Sequence, residues 1–332
     1  MADEITHNVS GDGIDRRGFL KCMAWVGTGL VWTISGGILT ACAPAQKPAA
    51  PADSTVAPAG VPATAPAKTG DFSFMQISDS HIGFSKDPNK DVTATFQQAV
   101  DRINALPTPP AFLLHTGDLT HLSKSDEFDT VAQVLKGSKA SQVYYVPGEH
   151  DVIGDNGKAY LDRYGKGTSG GGWHSFDYGG VHFIGLVNVL NLKAGGLGLL
   201  GADQLDWLKK DTTGLATSTP IVVFAHIPLW SVYPQWGWGT DDSEQALALL
   251  KGFGSLTVLN GHIHQILQKV EGNVTFHTAR STAFPQPEPG KAASPGPMKD
   301  VPADKLRSML GITSVSYVER NTSLAVIDST LA

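Results

Sequence analysis

The chain has 332 residues with a hydrophobic fraction of 41%, enough apolar material for one large domain or two small ones. A formal net charge of −6, with no long basic run past residue 70, excludes nucleic-acid binding through a basic patch. The only cysteines, Cys22 and Cys42, lie in the atypical first 45 residues, which excludes a disulfide framework or thiolate metal site in the globular part.

Residues 1–42 read as an export leader. Asp15-Arg16-Arg17-Gly18-Phe19-Leu20-Lys21 before the modestly apolar stretch from Cys22 to Leu39 resembles a twin-arginine signal, although Asp15 stands where that pattern has Ser or Thr. A plain transmembrane anchor is the competing reading, since the run approaches the ~20 residues needed to span a bilayer. Leu39-Thr40-Ala41-Cys42 resembles a lipobox, and Cys42 would then carry a lipid tether; cleavage near Ala43-Pro44-Ala45 is the alternative. Either route predicts an exported protein, periplasmic or otherwise extracytoplasmic, that meets export machinery through its leader. Residues 43–70, mostly Ala, Pro, Thr, Gly and Lys, cannot bury enough apolar surface to offset ordering entropy and are expected to form an extended linker.

From Asp71 short β-prone runs alternate with amphipathic helices. Phe72 to Ile77 predicts a buried strand ending in Ser78-Asp79-Ser80-His81, and Asp91 to Leu106 carries a helical apolar stripe. Ala111 to Leu114 predicts a strand running into His115-Thr116-Gly117-Asp118, followed by a helix over Ser125 to Leu135. The strand Val143 to Val146 opens onto Pro147-Gly148-Glu149-His150-Asp151, where Gly148 is expected to turn the chain sharply. Trp173 to Phe176 and Val181 to Leu186 flank Asp177-Tyr178-Gly179-Gly180 as a hairpin. A helix is expected over Leu199 to Lys210, then a fully apolar strand from Ile221 to Ala225 ending at His226. Trp230, Trp236 and Trp238 follow in a loop, where they could stack a nucleobase or simply pack. Asp242 to Lys251 predicts a helix, and Leu256 to Leu259 a strand ending in Asn260-Gly261-His262-Ile263-His264. Two strand pairs close the chain, around Glu271-Gly272-Asn273 and around Glu319-Arg320-Asn321-Thr322, with a Pro-rich loop from Phe284 to Pro302 between them. This order predicts an α/β fold of two mixed sheets facing each other with helices outside, a single domain over residues 71–332.

Ligands and chemistry in α/β proteins gather at the carboxyl ends of strands. Here those ends carry Asp79 and His81, Asp118, Glu149, His150 and Asp151, His226, and His262 and His264. Any single histidine among them could be a satisfied structural residue. Five of the chain's eleven histidines at strand exits are hard to obtain that way. Carboxylates and imidazoles without thiolates suit two divalent or mixed-valence ions of Mn, Fe or Zn, bridged by one Asp. Such a pair steadies both attacking and leaving oxygens in phosphoryl transfer. His115, His174, His182 and His277 read as structural.

The ordered set Asp79-Ser80-His81, Gly117-Asp118, Gly148-Glu149-His150-Asp151, His226 and Gly261-His262-Ile263-His264 resembles the calcineurin-like metallophosphoesterases over about Asp71 to His277. Ile77 to His81, Gly117 to Thr120 and the Gly-His-Ile-His run look most like bacterial cyclic-nucleotide phosphodiesterases. The resemblance implies a four-layer α/β/β/α sandwich of two mixed sheets, metallo-dependent phosphatase-like, with a dinuclear site between the sheet edges. It implies that Asp79, His81 and His264 hold the first metal, that Glu149, His226 and His262 face the second, and that Asp118 bridges. It further implies a small phosphoester substrate, a metal-held hydroxide as nucleophile, His150 as acid or stabiliser at the leaving oxygen, and Asp151 orienting the His150 ring. His121 stands where the related purple acid phosphatases carry a Tyr ligand; with His81 already in place, it is expected at the rim behind the ligands.

One departure matters. The family has Asn where this chain has Glu149, and an ionised glutamate adds charge and donates no hydrogen bond. At about 4 Å and an effective dielectric of about 20, one like charge facing a phosphate is worth about 4 kcal/mol before the metals offset it. Two divalent ions with Asp79, Asp118 and Glu149 leave a formal +1, against +2 with Asn. The expectation is a preference for singly charged diesters over monoester dianions. The alternatives are a metal-binding or partner-binding protein with altered or lost turnover, and a subunit of an extracytoplasmic complex tethered at Cys42.

Overall fold

A computed structural model describes residues 70–319 and 324–332. The expected leader and nearly all of the expected linker, with Cys42, fall outside the described residues, as does most of the Glu319–Thr322 turn. No helix among the described residues is long and apolar enough to cross a membrane.

The first sheet has the order β11-β10-β1-β2-β3, built from β1 (Phe72–Ile77), β2 (Leu113–His115), β3 (Val143–Tyr145), β10 (Gly311–Tyr317) and β11 (Ala325–Thr330). β1, β2 and β3 run parallel, while β10 and β11 add antiparallel. The second sheet has the order β4-β5-β6-β7-β9-β8, from β4 (His174–Tyr178), β5 (Val181–Gly185), β6 (Ile221–Ala225), β7 (Leu256–Asn260), β8 (Gln268–Glu271) and β9 (Val274–Thr278). Its middle strands β5, β6, β7 and β9 are parallel, and hairpins close both edges. Both sheets are mixed, as expected.

Side-chain alternation sorts each strand between two cores. On β1, Phe74 enters the core between the sheets while Met75 and Ile77 face the outer helices; on β6, Val222 and Phe224 point inward while Ile221, Val223 and Ala225 point outward. The inner core is aromatic: Phe74 stacks on Phe112 at 5.0 Å and meets Phe183 of the opposite sheet edge-on at 5.3 Å. Helices α1 (Val92–Asn104) and α2 (Ser125–Lys136) cover the first sheet with Phe96, Val100, Phe128 and Val131. Helices α4 (Ala202–Asp211) and α5 (Ser243–Leu250) cover the second with Leu208, Ala246 and Leu250. The result is the expected four-layer α/β/β/α sandwich.

Two short helices carry no clear periodic signal in the sequence, α3 (Lys158–Tyr164) and α6 (Ala303–Met309). Each has a single fully buried side chain, Tyr160 and Leu306, too few to write an amphipathic stripe. Helix α4 begins at Ala202 rather than Leu199, and α5 at Ser243 rather than Asp242. The shifts share a cause: the Asp242 carboxylate accepts the backbone N–H groups of Leu200 (3.0 Å) and Gly201 (2.8 Å), tying the two helix starts together. The Pro-rich run after Phe284 is a loop, as expected.

Candidate metal centre

Because β1, β2 and β3 are parallel, and β6 and β7 are parallel, their carboxyl ends open on shared edges. The segments leaving them interlock through the backbone. Asp79 N–H donates to Gly117 O (3.0 Å), His81 N–H to Asp118 O (2.9 Å), and Gly261 N–H to His226 O (3.0 Å). His262 N–H donates across the sheets to both oxygens of the Asp79 carboxylate (3.1 and 3.2 Å).

This interlocking is achieved with strained backbone. Asp79 (φ 53°), His81 (41°), Asp118 (51°), His262 (70°) and His264 (54°) all lie in the left-handed region, which side chains other than glycine rarely enter. Such outliers persist where surrounding structure over-determines them, and they gather at functional sites. Glycines enter for a different reason. Gly148 has φ −95°, ordinary extended backbone, so the expected sharp turn is not its purpose. A Cβ there would overlap the Asp118 carboxylate and amide, and one at Gly261 would overlap Ser78 Oγ and the Asp79 carboxylate. Both glycines permit close approach.

Among the described residues, five overlapping sets of donor atoms each lie within 4.8 Å of one another, and two of them join one carboxylate to two imidazoles: Asp79 with His81 and His264, and Glu149 with His226 and His262. In the first, His264 Nε2 lies 3.2 Å from both Asp79 Oδ1 and His81 Nε2. In the second, Glu149 reaches both imidazoles, with Oε2 3.0 Å from His226 Nε2 and Oε1 3.0 Å from His262 Nδ1. Asp118 stands between the groups, its Oδ2 3.4 Å from His81 Nε2 and 3.5 Å from His226 Nε2. All seven predicted ligands are brought together.

Their chemistry fits metal ions. Ring nitrogens His226 Nε2 and His262 Nδ1, and Glu149 Oε2, are buried and make no aligned hydrogen bond despite their closeness. Buried polar atoms are rarely left so. The opposite nitrogens are committed: His226 Nδ1 to Thr116 O (2.7 Å) and His264 Nδ1 to Phe284 O (2.5 Å), fixing the tautomer that leaves Nε2 free. Without a metal, the groups neutralise one another. Burial works to raise Glu149, but the imidazoles of His262 and His226 hold it well below the usual carboxylate range. Burial works to lower His226, but Asp118 and Glu149 hold it well above the usual imidazole range. Asp79, likewise pushed up by burial, is held low by His264 and His226. Burial lowers His81 well below the ordinary value, and neighbouring His150, His264 and His121 lower it further.

His150 stands beside this cluster. Its N–H donates to Asp118 Oδ1 (2.9 Å), and its ring Nδ1 to His121 O (2.7 Å). Burial disfavours its charged form, yet Asp118 and Glu149 raise its pKa above the ordinary value. His121 lies beside His81 and His150, its ring stacking on His150 at 4.8 Å and meeting His81 edge-on at 5.6 Å, and the three imidazoles form a further set that could hold an ion. Burial and the neighbouring His150 and lysines push the His121 pKa down to about 3.

Asp151 needs correction, because it does not orient the His150 ring. Its buried carboxylate accepts the N–H groups of Leu119 (3.0 Å), Thr120 (2.8 Å) and Gly148 (2.9 Å), and the Thr120 hydroxyl (2.8 Å). Burial and the Asp118 charge push its pKa up to about 7, against those donors. Asp151 clamps the Gly148 loop to the Asp118 loop, and a backbone carbonyl has taken its expected place.

The residues sequence reasoning missed lie just after β9. Ser281 Oγ donates to Asp79 O (2.7 Å) and accepts the N–H groups of Ala283 (2.8 Å) and Phe284 (3.2 Å). Phe284 packs on His81 (4.8 Å) and His264 (4.7 Å), and Gln286 Nε2 donates to His262 O (3.0 Å). The start of the Pro-rich loop is thus a wall of the site; the aromatic after Ser-Thr-Ala was the available signal. The tryptophan loop is packed on itself and on β9, with Trp236 against Trp238 (5.1 Å) and Trp230 against Phe276 (5.0 Å). His115 bonds Ser80, between Asp79 and His81, and so backs the centre; His182 bonds Asp177 and Asp211, His277 bonds Asp328, and His174 packs against Tyr144 and Phe224.

Comparison with known proteins agrees with this geometry. The family model for calcineurin-like phosphoesterases matches residues 72–266. Serine/threonine-protein phosphatase CPPED1 of Danio rerio is 26% identical over 230 residues, covering 59% of this chain and 71% of that protein. Purple acid phosphatase 15 of Arabidopsis thaliana is 31% identical over 115 residues, covering 32% of this chain but only 20% of that protein. A dimetal phosphatase from Danio rerio superposes with TM-score 0.52 at 13% identity, over 79% of this chain and 99% of that one. A purple acid phosphatase from yellow lupin (Lupinus luteus) gives TM-score 0.57 at 14% identity, over 80% of this chain and 52% of that one. These structural likenesses show the fold. The chain belongs to the calcineurin-like phosphoesterase family, and its homologues support a metal-dependent phosphoric ester hydrolase with a dinuclear centre.

Proposed function

We propose that this chain is an exported phosphoesterase that hydrolyses small phosphodiesters in preference to phosphomonoesters, nearest in its motifs to bacterial cyclic-nucleotide phosphodiesterases. The observation that carries this reading is Glu149, whose carboxylate lies at the centre among the donors and 11% exposed. In this reading Asp79, His81 and His264 would hold one divalent cation, Glu149, His226 and His262 would hold a second, and Asp118 would serve both. Two bound cations supply Lewis acidity and lower the pKa of water toward neutrality. His150, pinned through Nδ1 to the His121 carbonyl, keeps Nε2 as its working nitrogen. That nitrogen is the one placed to donate to the departing ester oxygen. Glu149 contributes negative charge where an amide would be neutral, and so disfavours a monoester dianion more than a diester monoanion.

Assays of the purified protein on a chromogenic diester and monoester, before and after Glu149→Asn, test the preference. The diester/monoester ratio should fall at least tenfold in the variant; an unchanged ratio sinks the role given to Glu149. Metal bound without turnover of either ester would favour the second reading, a metal- or partner-binding protein, to which the position of Glu149 between His226 and His262 gives weight. The address rests on the leader: replacing Arg16 and Arg17 with Lys should retain the protein in the cytoplasm, and Cys42→Ala should release it from membranes if the tether is a lipid.

A further inference from the structure

The two donor groups are the same in composition, one carboxylate and two imidazoles each, and Asp118 Oδ2 is 3.4 Å from an imidazole of one group and 3.5 Å from an imidazole of the other. They differ in exposure. Asp79, His81 and His264 have side chains 0%, 3% and 1% exposed; in the other half Glu149 and His262 are each 11% exposed and His226 is 0% exposed. Solvent reaches only the Glu149 and His262 edge of that more open half, whose facing donor atoms are themselves buried. With a neutral amide at position 149 that half would hold two imidazoles and no carboxylate of its own, and would be the weaker partner.

We propose that Glu149 brings the open half-site to parity with the buried one, so that a first divalent cation partitions between both halves and neither is the labile position. This rests on reading the cluster as a dinuclear centre. Two divalent cations in neighbouring half-sites repel each other, so stepwise affinities separate whatever the donors are. What parity governs is where the first cation goes. Glu149 is already placed for this: each oxygen faces one imidazole at 3.0 Å, which holds all three donors turned toward one point. Donors held in place before binding lose less entropy when the ion arrives.

The test uses crystals of the full chain freed of metal and then given one equivalent of manganese(II), with occupancy read from anomalous scattering. In the wild type both half-sites should be occupied, in a ratio below about tenfold (about 1.4 kcal/mol). In Glu149→Gln, which keeps the size and removes the charge, manganese should concentrate in the Asp79 half by more than about tenfold. Wild-type manganese confined to one half would overturn the proposal without reference to any variant, as would a Gln variant that partitions like the wild type. Parity with no hydrolysis of either ester would support this inference while contradicting the proposed function.

Discussion

The same strands build two regions with opposite physics. Between the sheets, Phe74, Phe112, Phe176, Phe183 and Phe224 are packed ring against ring in a core whose members are all satisfied by contact. A few residues further along, where the strands end, the chain enters left-handed backbone and leaves buried nitrogens and a carboxylate oxygen without aligned partners. The first region stabilises the fold; the second is strained and unsatisfied, and it holds only because the first is rigid. Stability and chemistry should therefore separate cleanly under mutation.

The widest separation is expected between Phe112→Ala and Asp118→Asn. The first removes a buried ring contacting both sheets and should cost about 3–5 kcal/mol of unfolding free energy. The second removes no buried surface and keeps the acceptor for His150 N–H, but takes away the charge facing His81 and His226, so denaturant unfolding should change by less than it does for Phe112→Ala, while ester hydrolysis should fall at least about a hundredfold. Equal effects of the two on stability would break the distinction.

Gly148→Ala probes where the regions meet. The added methyl collides with Asp118, which should cost about 1–3 kcal/mol and lower activity together. Activity without loss of stability, or the reverse, would mean the loop is looser than its contacts imply. Ser281→Ala should cost about 1–2 kcal/mol, because it strands Asp79 O and two buried amides; weaker metal retention measured by equilibrium dialysis should accompany it.

The order of strands and helices was legible because each strand ends in turn or polar residues and each long helix repeats its apolar face. The ligands were legible because strand ends concentrate them. Three things were not. Asp151 looked like a partner for His150, but the carbonyl that took the role, His121 O, has no side-chain signature. Gly148 looked like the residue of a sharp turn, yet its purpose is proximity to Asp118, which only the folded chain reveals. Ser281 and Phe284 reach Asp79 and His264 across a sequence separation of 202 and 20 residues, and the aromatic after Ser-Thr-Ala does not by itself say which strand end it meets.

The smallest expected effect lies far from the centre. Burial alone would lower the pKa of His182, but its bonds to Asp211 and Asp177 raise it above the ordinary value. A raised folded-state pKa gives stability that is fully present below the unfolded value near 6.5 and is lost as pH rises through the folded value. The unfolding free energy of wild type minus Asp211→Asn, followed from pH 6 to pH 9, should shrink by less than about 1 kcal/mol; a difference that grows with pH would mean His182 is neutral in the fold.

The most direct measurement of the central claim is metal content paired with activity. Protein stripped by chelator and titrated with manganese(II) should recover hydrolysis of a chromogenic diester as the second equivalent binds, with two ions per chain by elemental analysis. Full activity at one ion per chain, or undiminished activity in the stripped protein, would contradict a dinuclear centre built from the two donor groups around Asp118.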